Sequence, residues 1–132
     1  MTYDLDVVPQ AGQPNLRRLG SALKALDAHV ITFWDPDTDE LHVESSDLSP
    51  QVFLDNPFLH LLTNAGRLDV LMSPGGFAEG YTRLVEHAEH ETVLGLRIQL
   101  ASVADLIMMK EAVGRPRDLN DLEELHRIAE GR

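Results

Sequence analysis

The hydrophobic period changes within the first 26 residues, and that change limits the fold more than any other feature of the chain. In Thr2-Tyr3-Asp4-Leu5-Asp6-Val7-Val8-Pro9, residues Leu5, Val7 and Val8 favour a strand and Pro9 ends it. Gln10 to Gln13 read as a turn, and Pro14-Asn15 opens a helix with Asn15 expected as its N-cap. Leu16, Leu19, Leu23 and Leu26 then recur at helical spacing beside Ala22. A strand followed at once by a one-sided helix needs a sheet to bury the apolar stripe, so an α/β or α+β fold is expected. At 132 residues with 43% apolar content, the chain is long enough for one domain, 1–132, with its own core.

Further along, Val30 to Trp34 read as a short strand or the tail of the connection from the helix. Asp35 to Pro50 is the most polar stretch. It lacks the mid-loop Gly and terminal Glu of an EF-hand, so it reads as a solvated loop around a short strand at Leu41-His42-Val43. Phe58 to Thr63 and Leu68 to Met72 are expected to form an antiparallel hairpin through Asn64-Ala65-Gly66-Arg67. Ser73-Pro74-Gly75-Gly76 lacks the Lys and spacing of a P-loop and reads as a turn into a helix from Phe77 to His90. His87 and His90, among Glu86, Glu89 and Glu91, read as a solvated helix face rather than a metal pair. Val93 to Leu100 is expected as the last strand. A capping box at Ser102-Val103-Ala104-Asp105 starts a helix that Gly114 stops. Asp118 is expected to cap a final helix whose buried stripe is Leu119, Leu122, Leu125 and Ile128 or Ala129.

Composition narrows the chemistry. The absence of cysteine excludes disulfides, thiolate catalysis and zinc–thiolate sites. No apolar run is long enough to span a bilayer, and no basic and apolar leader opens the sequence, so a cytoplasmic protein is expected. A net charge of −11 argues against a broad surface tracking nucleic-acid phosphates. It leaves room for a small cationic pocket that takes one triphosphate, and it suits a basic protein partner.

Asp4 and Asp6 are the first candidate site residues. Side chains at i and i+2 of a strand leave the same face, about 6.5–7 Å apart. Two such anions repel unless water, a cation or a proton intervenes. Asp69, in Gly66-Arg67-Leu68-Asp69-Val70-Leu71-Met72, has a similar setting. Three carboxylates converging from two neighbouring strands would suit Mg²⁺ or Mn²⁺. His60 reads as a packed or hydrogen-bonded strand histidine. Lys110, Arg115 and Arg117 form the tightest basic cluster, and pattern alone favours ion pairs with Asp118 and Asp121.

The order of these segments carries a resemblance. Thr2-x-Asp4-Leu5-Asp6-Val7 is followed by a helix with Asn15-Leu16-x-x-Leu19 and Ala22-Leu23, then Gly66-Arg67-Leu68-Asp69-Val70-Leu71. Ala101-Ser102-x-x-Asp105-Leu106-Ile107-x-Met109-Lys110 and Gly114-Arg115-Pro116-Arg117-Asp118-Leu119-x-Asp121-Leu122 complete it. This succession resembles the AbiEii/AbiGii-type, toxin-associated nucleotidyltransferases of the polymerase β-like superfamily. The likeness covers nearly the whole chain, least between Val30 and Asn56. It implies an α+β fold, a mixed sheet flanked by helices with further helices at the C-terminus.

The same resemblance implies that Asp4, Asp6 and Asp69 hold Mg²⁺ or Mn²⁺, with Asp69 also catalytic, near the hydroxyl that attacks the α-phosphate of a nucleoside triphosphate. Lys110 and Arg115 would touch phosphate or order the site. The acceptor would be a tRNA end or a protein hydroxyl, in the toxin of a toxin–antitoxin pair. The family places a Gly-Gly or Gly-Ser turn before the paired carboxylates. Only Met1 to Tyr3 precede them here, so either an N-terminally shortened version or a start assigned too late is expected. Without the earlier segment, the strand of Asp4 and Asp6 is expected to offer an edge to a second copy or to a cognate protein partner. The alternative is a catalytically degenerate fold retained as a protein-binding module.

Overall fold

The first strand, β1 (Asp4–Val7), and the helix after it, α1 (Gln13–Ala25), open a computed structural model that describes residues 4–75, 77–114 and 116–131, apart from the side chains of 116 and 117. The chain forms two compact units, residues 1–72 and 73–132. The fold is mixed α+β, as its opening segments imply.

In the first unit, β2 (His29–Asp35), β3 (Glu40–Glu44), α2 (Pro50–Asp55), β4 (Phe58–Thr63) and β5 (Gly66–Leu71) follow α1. Five strands form one sheet in the order β1-β5-β4-β2-β3. β1 runs parallel to β5, and the remaining neighbours are antiparallel. The β4–β5 hairpin pairs directly from Phe58↔Leu71 to Thr63↔Gly66, with Gly66 at φ +124°. Among the described residues β1 pairs on one side only, and Leu5 is 62% exposed there.

Alternation along these strands separates two faces. Leu59 pairs with Val70 and Leu61 with Leu68, and β1 adds Val7 beside Val70. This face meets Leu16 and Leu23 of α1 and Phe53 of α2, with Leu48 and Ala28 completing the core. Gly20 lets α1 approach the backbone closely: a Cβ there would stand 2.2 Å from the Leu48 carbonyl oxygen. α1 begins earlier than the Asn15 cap implies. Gly12 is its N-cap, Pro14 occupies the first turn, and Asn15 Nδ2 donates back to Gln10 O at 2.8 Å. The helix ends in a Schellman turn at Asp27 (φ +53°), where Ala28 N donates to Leu23 O at 3.0 Å.

The second unit starts with a short helix, α3 (Tyr81–Leu84), continued by a 3-10 turn at Val85–His87. The helix expected through His90 is therefore much shorter. His90 lies instead in β6 (Glu89–Val93), which pairs with β7 (Leu96–Leu100) in a two-stranded hairpin. Its turn is Leu94-Gly95, both at positive φ. Ser102 caps α4 (Val103–Val113), accepting from Asp105 N at 3.1 Å, and Gly114 stops that helix in the left-handed conformation. α5 (Pro116–Ala129) packs along α4. Asp118 lies inside its first turn rather than at the N-cap. Met1–Tyr3, Gly76 and Arg115 lie outside the described residues, as do the side chains of Pro116 and Arg117, so the basic turn expected at 115–117 does too.

Candidate functional site: a carboxylate row on the sheet

The face of the first sheet opposite its core carries the candidate site. Because Leu59, Leu61, Leu68, Val70 and Val7 face inward, the alternate positions face outward together. They form two rows. One runs His60, Asp69, Asp6 across β4, β5 and β1; the next runs Leu62, Arg67, Asp4. Asp6 and Asp69, far apart in sequence, are direct partners on parallel strands. Hydrophobic alternation in three separate segments, each obeying the same inside–outside rule, builds this arrangement.

In each row a carboxylate lies beside a nitrogen donor. Asp69 Oδ1 accepts from His60 Nδ1 at 2.8 Å, and the Asp69 side chain is 15% exposed. Arg67 Nε lies 3.6 Å from Asp4 Oδ1. Asp6 has interactions of its own. Three carboxylates on two adjacent strands supply the oxygen donors that hard divalent cations prefer. In residue type and backbone placement they fit Mg²⁺ or Mn²⁺. In the side-chain positions adopted, no group of three His, Asp or Glu among the described residues stands close enough to hold a metal ion. Asp4 is turned toward Arg67 and Asp69 toward His60. The backbone register places the three on two neighbouring strands of one face.

Asp4, Asp6 and Asp69 thus share one face, as their sequence settings imply. His60 is hydrogen-bonded, as its strand setting implies, but that its partner is Asp69 was not read from the sequence. Its only signal was position: an apolar strand with one imidazole at an outward site, facing a hairpin partner that carries a carboxylate.

The basic candidates belong to the second unit. Lys110 Nζ lies 3.2 Å from Asp118 Oδ1 and 3.0 Å from Asp121 Oδ2, tying α4 to α5. Asp118 is fully buried. Burial alone would lower the Lys110 ammonium. The hydrogen bonds to Asp121 and Asp118, with their charges, outweigh it and raise the group above its ordinary value. The described contacts of Lys110 are therefore those of a helix-pairing ion bridge. Arg115 lies outside the described residues.

A second polar cluster surrounds Asp105, whose side chain is 4% exposed. Arg83 stacks over the Phe77 ring at 5.3 Å, reaches Asp105 Oδ1 at 4.0 Å and donates to His87 Nδ1 at 3.0 Å. His87 Nδ1 stands 3.7 Å from Asp105 Oδ2, beyond hydrogen-bond distance. This cluster anchors the start of α4 to the turn at Val85–His87. Among the described residues no helix is long and apolar enough to cross a membrane.

Comparison of the chain with protein-family models and with curated proteins finds no match.

Proposed function

We propose that the chain is a nucleotidyltransferase-like domain that transfers a nucleotide from a nucleoside triphosphate to a macromolecular hydroxyl, on a tRNA or a protein. The toxin of a toxin–antitoxin pair is the setting that the sequence resemblance suggests. One observation carries this reading: Asp6 and Asp69 are register partners on parallel strands, with Asp4 two residues along the same face. Like charges placed side by side on a sheet destabilise it, so their juxtaposition calls for a function.

In this reading Asp4, Asp6 and Asp69 hold Mg²⁺ or Mn²⁺. Bound there, the cation supplies charge neutralisation for the attacking and leaving oxygens of an in-line displacement. Asp69, set back in the sheet and braced by His60, faces the attacking hydroxyl. The hydroxyl gives its proton to the Asp69 carboxylate as its oxygen bonds to the α-phosphorus, the bond from that phosphorus to the β-phosphate bridging oxygen breaks, and pyrophosphate leaves with the electron pair.

Calorimetry tests the proposal. Nucleoside triphosphate should bind the full chain only with Mg²⁺ or Mn²⁺ present, and Asp6→Asn should weaken that binding because a neutral amide ligates hard cations poorly. Equal affinity with and without metal would contradict it.

A second reading has an observation in its favour. One face of the β6–β7 hairpin presents Val93, Leu96, Ile98 and Leu100, all exposed. A catalytically degenerate fold acting as a protein-binding module would use such a surface. Complete absence of triphosphate binding under all metal conditions would favour it.

A further inference from the structure

We infer that the apolar face of the β6–β7 hairpin receives a basic amphipathic helix of a partner protein; the inference rests on the protein-binding reading and deepens it by naming the partner's chemistry. The register puts Glu89, Glu91, Val93, Leu96, Ile98 and Leu100 on one face and His90, Thr92, Arg97 and Gln99 on the other. An antiparallel hairpin with one apolar face ordinarily turns that face to the core. Here the polar face carries the contact with the unit's own helix, Gln99 Nε2 donating to Tyr81 Oη at 3.4 Å. The apolar face is left open, with Leu96 68% exposed, and Leu94 adds a further exposed side chain at the turn. A lone two-stranded sheet is marginal in water, and packing against a helix is one way to stabilise it.

Charge and geometry select the occupant. Glu89 and Glu91 flank the apolar row along β6, opposite Leu100 and Ile98, and the face carries no cation. Neither carboxylate has an ion-pair partner among the described residues. A second copy would bring the same two carboxylates and another net charge of −11, with nothing on the face to neutralise them. A strand added at the hairpin's edge would widen the sheet and leave this face open. A helix lying along the strands covers it: five residues of strand span about 17 Å, the length of about 11 helical residues. Its apolar stripe sits on Leu96, Ile98 and Leu100, and Lys or Arg beside that stripe meets Glu89 and Glu91.

The test is fluorescence anisotropy of a labelled peptide of about 14 residues, with Leu on one helical face and Lys beside it. It is titrated with the full chain, without nucleotide or divalent metal, against a scrambled peptide of the same composition. The ordered peptide should bind at least about tenfold more tightly, and Leu96→Thr/Ile98→Thr should lose at least about tenfold. Glu89→Gln/Glu91→Gln should lose about fivefold. Arg97→Gln, on the opposite face, should bind no more weakly than the wild type. Thr keeps strand propensity, and thermal melting checks that each variant is folded. Both Glu side chains are exposed, so that pair decides alone if the Thr pair unfolds. Equal binding of the two peptides, or equal losses in Arg97→Gln and the Glu pair, would overturn the inference. So would a dimer in light scattering that Leu96→Thr/Ile98→Thr dissolves, which keeps the protein-binding reading but makes a second copy the occupant. A monomeric wild type that binds neither peptide would overturn the inference together with the docking role of this face.

Discussion

Gly20 shows how a single missing side chain sets the depth of a helix. Leu48, whose carbonyl oxygen would meet the added Cβ, is itself buried and held at φ +48°, so the segment beneath α1 has little room to retreat. Ala is the better helix former by about 1 kcal/mol, yet overpacking costs about 1–3 kcal/mol and the clash is with backbone. We therefore expect Gly20→Ala to be destabilised by about 2 kcal/mol in chemical denaturation. A variant as stable as the wild type would mean that the Leu48 segment yields. Lys110 gives a second residue-scale outcome, with a pH dependence. Its pKa is raised in the folded chain by Asp121 and Asp118, against the effect of burial. The stability it contributes is fully present below the ordinary value of 10.5 and is lost as pH rises through the higher folded value. Lys110→Met should be less stable than the wild type by about 1–2 kcal/mol at neutral pH. That gap should narrow only above pH 10.5, and denaturation midpoints across the alkaline range would check it.

Among the elements, the β6–β7 turn breaks a local rule. Two-residue hairpin loops with both residues at positive φ favour Asn-Gly, yet this one is Leu94-Gly95 with Leu94 97% exposed. Leu94→Asn should stabilise the second unit by about 0.5–1 kcal/mol, since Asn tolerates the left-handed region far better. An unchanged melting transition would show that the hairpin does not limit that unit's stability. The same hairpin marks where the sequence stopped being legible. β4 and β5 could be read because one face of each is buried, which imposes alternation, and β1 because Leu5, Val7 and Val8 favour a strand that Pro9 ends. β6, with Glu89, His90 and Glu91, is exposed at every position, so no burial pattern distinguishes it from a solvated helix face. The expected helix through His90 followed from that ambiguity. The capping box at Ser102 and the stop at Gly114 were legible because each depends on local backbone chemistry alone. The carboxylate row was legible in its residues but not in its pairing, since the register of β1 against β5 is a long-range property. His60 joins the row through the β4–β5 hairpin, which sets it opposite Asp69.

On the scale of the whole molecule, the carboxylate row adds local repulsion to a chain that already carries a net charge of −11. Both effects oppose the folded state in the absence of cations, and they can be separated. Asp69→Asn keeps an oxygen that can accept from His60 Nδ1 but removes the charge beside Asp6. Without divalent metal the variant should be more stable than the wild type by about 0.5 kcal/mol, because like charges directly paired in a sheet are unfavourable by that order. Mg²⁺ should reverse the ranking. At about ten times its Kd, a cation bound only by the folded state stabilises by about 1.4 kcal/mol, which raises the melting temperature of a unit this size by about 5–10 °C. Asp69→Asn should show little of that rise. Sodium chloride at matched ionic strength must be run in parallel, because screening of the overall charge stabilises both proteins alike. A purely structural Asp69 would give the same ranking with and without Mg²⁺. A crossing, with the variant ahead in sodium chloride and behind in Mg²⁺, is expected only if the chain tolerates this repulsion in order to hold a cation.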